Sequence, residues 1–75
     1  MKVNVVLFGT MRRYAERDKF ELELKEGATL GDLLDRLRIE DRVYIIVLVN
    51  GMRADEATPL SDGAAVHILT PVGGG

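Results

Sequence analysis

One amphipathic helix limits the folds open to this chain of 75 residues. Four leucines have the i, i+3, i+4, i+7 spacing that places side chains on one face of a helix: Leu30, Leu33, Leu34 and Leu37. Thr29 precedes them, and Asp32 follows it by three residues, a pattern that predicts a capped helix start. A single helix of this kind buries its apolar face against a sheet, so the sequence predicts a two-layer α+β fold.

Runs of apolar residues on both sides of the helix predict the strands of that sheet. The predicted strands cover residues 2–8, 20–25, 44–49 and 64–69. The first two alternate apolar and polar residues, as half-buried strands do. Residues 44–49 are apolar throughout, which predicts a strand that is covered on both faces or lies centrally. We expect the first and last strands also to lie centrally. In the last strand, His67 and Leu69 share the face opposite the core.

Glycines and polar residues predict the turns between these elements. The Asn50-Gly51 pair favours a tight hairpin turn, since both positions of such a turn need φ > 0. Gly9 ends the first strand, and Thr10 is predicted to cap a short helical stretch that reaches Ala15. Residues 52–59 are polar and irregular, with room for one short edge strand.

Composition argues against several classes of protein. The net charge is −2, with no basic block, which argues against nucleic acid as a partner. No apolar run is long enough for a membrane span. The chain has no cysteine and a single histidine, His67, so no metal site and no catalytic triad is predicted. Met1-Lys2 leads directly into a strand rather than a signal segment, so we expect a cytoplasmic location.

The last residues of the sequence differ from the rest. We expect a folded domain over residues 1–69 and a flexible tail over residues 70–75, which ends in Gly73-Gly74-Gly75. Glycine has no Cβ and suits backbone that must approach another surface closely. Five extended residues span roughly 17 Å, enough to carry a terminus into another protein's active site. The alternative is a passive, frayed end.

The order of elements and this tail together resemble the MoaD/ThiS family of ubiquitin-like sulfur carriers. Within that family the chain is most similar to the small subunit of molybdopterin synthase. The resemblance rests on the segments Leu7 to Tyr14, Leu30 to Leu37, Val49-Asn50-Gly51, Leu60-Ser61-Asp62-Gly63 with Val66, and Pro71 to Gly75. The short helix after the first strand favours the molybdopterin branch over the thiamin branch. Ala64 and Gly73 depart from the residues usual in the family.

The resemblance implies a β-grasp fold and a carrier that is not itself an enzyme. Gly75 would be adenylated and then converted to a thiocarboxylate. No cofactor would be bound stably, since the partner activating enzyme would use ATP and magnesium. The implied partners are an E1-like adenylating enzyme, a sulfur donor, and the large subunit of molybdopterin synthase or an equivalent acceptor. The implied partner-binding residues are Gly74, Gly73, Val72, Pro71, Leu69, Phe8, Arg12 and His67.

Three alternatives stay open from the sequence. The carrier would serve thiamin synthesis, or Gly75 would form isopeptide bonds as a protein modifier, or the tail would be inert. The predicted patch of Phe8, His67 and Leu69 has its own alternative, in which the short helix and residues 52–59 cover it.

Overall fold

The computed structural model describes residues 1–71. Five strands, one α-helix and one 3₁₀ helix make up this part of the chain. They are β1 (Lys2–Leu7), the 3₁₀ helix (Gly9–Tyr14), β2 (Lys19–Glu23), α1 (Leu30–Arg36), β3 (Ile46–Val49), β4 (Met52–Arg53) and β5 (Ala65–Leu69). The predicted α+β class and the β-grasp arrangement are confirmed. No helix among these residues is long and apolar enough to cross a membrane.

The five strands form one mixed sheet in the order β2-β1-β5-β3-β4. β1 and β5 run parallel, and the other neighbouring pairs are antiparallel. The prediction that the first and last strands lie inside the sheet is confirmed, with β5 at its centre.

The prediction for residues 44–49 is partly wrong. The strand begins at Ile46, because Val43 and Tyr44 form an exposed turn. Of the two alternatives predicted for this strand, the central position is confirmed, because β3 lies between β5 and β4. Cover on both faces is not, since Val47 is buried while Ile46 and Leu48 on the other face are half-exposed.

The core lies between α1 and one face of the sheet. Leu30, Leu33 and Leu34 of the helix belong to the same buried cluster as the inward residues of β1 and β5. Those inward residues are Val3, Val5, Leu7, Val66 and Ile68, each at most 2% exposed. The leucine stripe therefore faces the sheet, as its spacing predicts.

Local hydrogen bonds confirm two of the predicted signals and correct a third. Thr29 and Asp32 form the predicted capping box at the start of α1. Asn50 and Gly51 have φ of 52° and 83°, as their turn requires. The prediction that Thr10 caps the short helix is wrong. Thr10 lies inside the 3₁₀ helix, whose N-cap is Phe8, two residues earlier than predicted, because the chain already turns at Gly9, where φ is 55°.

The side chain of Arg42 ties the helix to two loops. Its Nη2 lies 2.6 Å from Asp35 Oδ1 on α1, and its Nη1 lies 2.7 Å from Glu56 Oε1. Its Nε donates to the carbonyl of Ile39 at 2.5 Å. The bond to Asp35 raises the pKa of Arg42 above its usual value, and the bond to Glu56 adds to this effect. These contacts fix loops that have little regular structure of their own.

Candidate functional site

The central strand leads directly to the predicted tail. β5 ends at Leu69, and Thr70 and the exposed Pro71 follow. The predicted site residues Val72, Gly73, Gly74 and Gly75 lie outside the described residues. The chain therefore enters the tail from the middle of a five-stranded sheet, which fixes the starting point of the tail relative to the rest of the domain.

The sheet face opposite α1 carries a row of side chains that crosses all five strands. Cross-strand partners lie on the same face of a sheet. The pairings place Lys19, Val6, His67, Leu48 and Arg53 side by side, in that order from β2 to β4. The row is apolar around His67 and cationic at both ends.

Phe8, Ile46 and Leu69 extend this row towards the tail. Leu69 pairs with Ile46 across β5 and β3. The ring of Phe8 meets that of His67 edge to face, with 5.6 Å between centroids and 68° between planes. We call Val6, Phe8, Ile46, Leu48, His67 and Leu69 the open-face patch. Phe8 is 44% exposed and the other five are half-buried, so an apolar surface is available to a partner.

The structure brings together three of the predicted site residues and adds three that the sequence analysis did not include. Phe8, His67 and Leu69 belong to one surface, and neither the 3₁₀ helix nor residues 52–59 cover it fully. The added residues are Val6, Ile46 and Leu48. The signal for them was present in the apolar residues that occupy both faces of the first and third strands. It identifies no surface until the strand order is known.

The 3₁₀ helix packs beside the start of the tail. The hydroxyl oxygens of Thr10 and Thr70 lie 3.4 Å apart, which joins this helix to the residue after β5. Arg12 is exposed, as predicted, and its Nε donates weakly to the Gly9 carbonyl at 3.4 Å. Arg13 lies over the ring of Tyr14, 5.2 Å from its centroid. The short helix that contacts Thr70 thus carries two exposed guanidinium groups.

The described part of the chain offers no metal centre. No group of three or more histidine, cysteine or carboxylate side chains among residues 1–71 is close enough together to hold an ion. His67, the one histidine, has an aromatic ring and apolar side chains around it rather than carboxylates. The surroundings of His67 are therefore those of an apolar surface.

Comparison with known proteins identifies the family. The ThiS family model matches residues 5–75, and the chain belongs to this family of ubiquitin-like sulfur carriers. Among curated protein sequences none matches the chain.

Solved structures extend the likeness to carriers and to modifiers. SAMP1 from Haloferax volcanii is 26% identical, with a TM-score of 0.84 and complete coverage of both chains. A putative molybdopterin converting factor subunit 1 from Pyrococcus furiosus is 29% identical, with a TM-score of 0.82 over 95% of this chain and 98% of the other. Subunit 1 of the Helicobacter pylori molybdopterin-converting factor, solved in complex with subunit 2, is 26% identical, with a TM-score of 0.71 and complete coverage of both chains.

Proposed function

We propose that this protein carries sulfur on its C-terminal glycine and delivers it in molybdopterin synthesis. An activating enzyme would transfer AMP from ATP to the Gly75 carboxylate and release pyrophosphate. A sulfur donor would then displace AMP and leave a thiocarboxylate. The carrier contributes an unhindered terminus, while the activating enzyme supplies magnesium, the nucleotide site and the stabilisation of developing charge.

Adenylation is the step that makes this chemistry possible. A carboxylate oxygen is a poor leaving group, whereas AMP is a good one. Side chains on the last residues would have to fit beside the nucleotide phosphates, and glycine removes that obstacle. The absence of cysteine suits such a carrier, since no internal thiol competes for the activated carbonyl.

The observation that carries the proposal is the point where the tail begins, directly after the open-face patch. Leu69 belongs to that patch and is followed at once by Thr70, Pro71 and the glycine-rich end. A partner that covers the patch therefore meets the start of the tail at a fixed place. The family match supports the proposal, because it extends from residue 5 through residue 75.

Protein modification is a second candidate function for the same terminus. It is favoured by the likeness to SAMP1, a small archaeal modifier protein, over the whole of both chains. In this reading Gly75 is adenylated in the same way but forms an isopeptide bond with a lysine of another protein. The mass of the intact protein from its native cell distinguishes the two. A gain of about 16 Da, for sulfur in place of oxygen, supports the carrier, and larger conjugates support the modifier.

Deletion of Gly75 tests whether the terminus is the reactive group. The shortened chain should lose pyrophosphate exchange with the cognate activating enzyme, because the carboxylate no longer reaches the nucleotide. Its thermal unfolding should match that of the parent, since the last described residue, Pro71, is already exposed. Exchange at the parental rate would contradict a reactive Gly75.

Leu69→Lys tests whether the open-face patch docks the activating enzyme. A charge at the centre of an apolar contact should weaken binding at least tenfold, since buried central contacts dominate interfaces. Asn4→Lys is the matched control, because Asn4 is exposed on the same sheet face outside the patch. Arg12→Glu should weaken binding mainly at low salt, as charges at an interface rim do. Calorimetric titration that finds equal affinity for Leu69→Lys and Asn4→Lys would place docking elsewhere.

A further inference from the structure

His67 is the only member of the open-face patch whose side chain can change its charge. The other five members are apolar. Val6 and Leu48 are its direct cross-strand partners on β1 and β3, and the ring of Phe8 lies edge to face against the imidazole. An ionisable group therefore lies in the middle of an otherwise apolar surface.

Water, rather than protein, surrounds the polar atoms of this imidazole. Among residues 1–71, no hydrogen bond or salt bridge involves the side chain of His67. Every fully buried side-chain nitrogen or oxygen in this part of the chain does have a hydrogen-bond partner. Both ring nitrogens of His67 therefore reach solvent in the free protein, and water solvates the ring in either charge state.

In the row of side chains that contains His67, the nearest charged groups lie two strands away. They are Lys19 on β2 and Arg53 on β4, each one strand beyond a direct partner of His67. Adjacent strands lie about 4.8 Å apart, so these two cations are roughly 10 Å from the imidazole. Exposed charges at that distance are largely screened at physiological ionic strength.

Other ionisable side chains lie on the elements that surround His67. On the open face of β1 and β2, and on the 3₁₀ helix that packs against β5, they are Lys2, Glu21, Glu23, Arg12, Arg13 and Tyr14. Of the two carboxylates, Glu21 is the nearer, and it pairs with Asn4, one row away from His67 and two strands across. No carboxylate of residues 1–71 lies within ion-pair distance of the imidazole.

A partner that covers the open-face patch removes the water from this imidazole. Removal of water costs much more for a charged group than for its neutral form. The cores of interfaces are depleted of charged residues, so a surface that complements Val6, Leu48 and Leu69 presents apolar atoms to His67. Because no carboxylate of its own chain offsets the cost either, binding at the patch favours the neutral imidazole.

We propose that docking on the open-face patch requires neutral His67, so that a partner expels the proton of His67 when it binds and is released as the pH falls. This inference rests on the proposed docking of the activating enzyme at that patch. A protein that carries the charged form must first lose its proton in order to bind. The affinity is therefore complete where His67 is neutral, and it falls with the pH by up to about tenfold per pH unit.

The composition of the chain makes this effect separable from other titrations. Histidine is the side chain whose charge ordinarily changes between pH 5 and pH 8. His67 is the only histidine of the chain, which has no cysteine. A terminal carboxylate ordinarily stays charged down to about pH 4. The reactive terminus therefore keeps its charge over the range in which His67 is proposed to act.

The test is a calorimetric titration of the full chain with the cognate activating enzyme at pH 7.5 and pH 5.5. The parent should bind about tenfold more weakly at pH 5.5, as expected when one proton has to be lost. His67→Gln keeps a polar side chain that cannot ionise, so it should lack this loss. Ionisable groups of the enzyme affect both chains equally, and the comparison of the two pH ratios therefore isolates His67.

His67→Lys and a proton count provide two further readouts. Lysine carries its charge at both pH values, so His67→Lys should bind at least about tenfold more weakly than His67→Gln already at pH 7.5. Titrations at pH 6.5 in buffers with different ionisation enthalpies give the number of protons released on binding. The parent should release more protons than His67→Gln. Thermal unfolding at both pH values shows that each chain is folded during the titrations.

Three results would overturn the proposal. Equal pH ratios for the parent and His67→Gln, with Leu69→Lys still weakened, would remove the role of His67 and leave the docking surface intact. Tighter binding of the parent in acid, relative to His67→Gln, would show that the enzyme places a carboxylate against the imidazole. Equal affinity of Leu69→Lys and Asn4→Lys would exclude docking at the open-face patch altogether, and the proposed role of His67 with it.

Discussion

Leu34→Ala measures how much of the stability depends on the contact between α1 and the sheet. Leu34 is 1% exposed and belongs to the cluster that joins the helix to β1 and β5. The substitution removes three carbon atoms, worth about 0.8 kcal/mol each, or about 2.4 kcal/mol in transfer free energy. Incomplete closure of the resulting cavity adds to this, so the total loss should be about 3–4 kcal/mol.

The consequence should be large because the domain is small. Domains of this kind have about 5–15 kcal/mol of stability in total. A loss of 3 kcal/mol should lower the melting temperature by about 12–24 °C in a chain of this length. Urea unfolding gives the free energy of unfolding and its denaturant dependence, and an unchanged denaturant dependence would show that the folded and unfolded states remain comparable.

Leu37→Ala is the matched control for Leu34→Ala. It makes the same chemical change on the same leucine stripe, but Leu37 is half-buried at the C-cap of α1. Its loss should be about 1 kcal/mol, in proportion to the area it buries. Equal losses for the two variants would refute the packing argument, since burial would then not determine the cost.

Two further predictions concern the ionic contacts. Arg42→Lys should lower the free energy of unfolding in urea by about 1 kcal/mol, because lysine cannot bind Asp35 and Glu56 with one planar group. The loss should be no larger, because both carboxylates are largely exposed. An unchanged urea midpoint would show that the two ion pairs of Arg42 contribute nothing to stability. The hydrogen bond to Glu23 raises the pKa of the Met1 α-amine above its usual value of 8.0. The ion pair between the two groups therefore contributes its full stabilisation of the folded state below pH 8, and this stabilisation is lost as the pH rises through the folded-state pKa. Unfolding free energies at pH 7 and pH 10.5 should therefore differ more for the parent than for Glu23→Gln, and equal differences would contradict this.

Local signals were sufficient to predict most of the elements from the sequence. The Thr29–Asp32 capping box and the Asn50-Gly51 turn depend on contacts within a few residues, and both formed as predicted. The 3₁₀ helix began two residues earlier than expected, because it starts at Gly9, whose φ of 55° suits glycine and was not recognised as the first helical position.

The open-face patch was only partly predictable. Val6, His67 and Leu48 are neighbours through pairings that join residues 19 and 61 positions apart in the sequence. Alternation assigns each of these residues to a face of its own strand, but it does not say which strands are adjacent. Leu69 was recognisable because it precedes the tail, whereas Ile46 and Leu48 became visible only with the sheet order.

Parallel pairing of β1 and β5 determines what a partner meets beside the tail. Parallel neighbouring strands have their carboxyl ends at the same end of the sheet. The segment after β1 and the segment after β5 therefore both leave the sheet at that end. The 3₁₀ helix follows β1 and therefore lies at the start of the tail, where Thr10 approaches Thr70. We therefore expect a partner that binds the tail to contact the 3₁₀ helix and the open-face patch as well. Glycines have no side chains by which one glycine-rich end could be distinguished from another, so the proposed function predicts that a partner recognises the folded surface around Leu69 and Thr70.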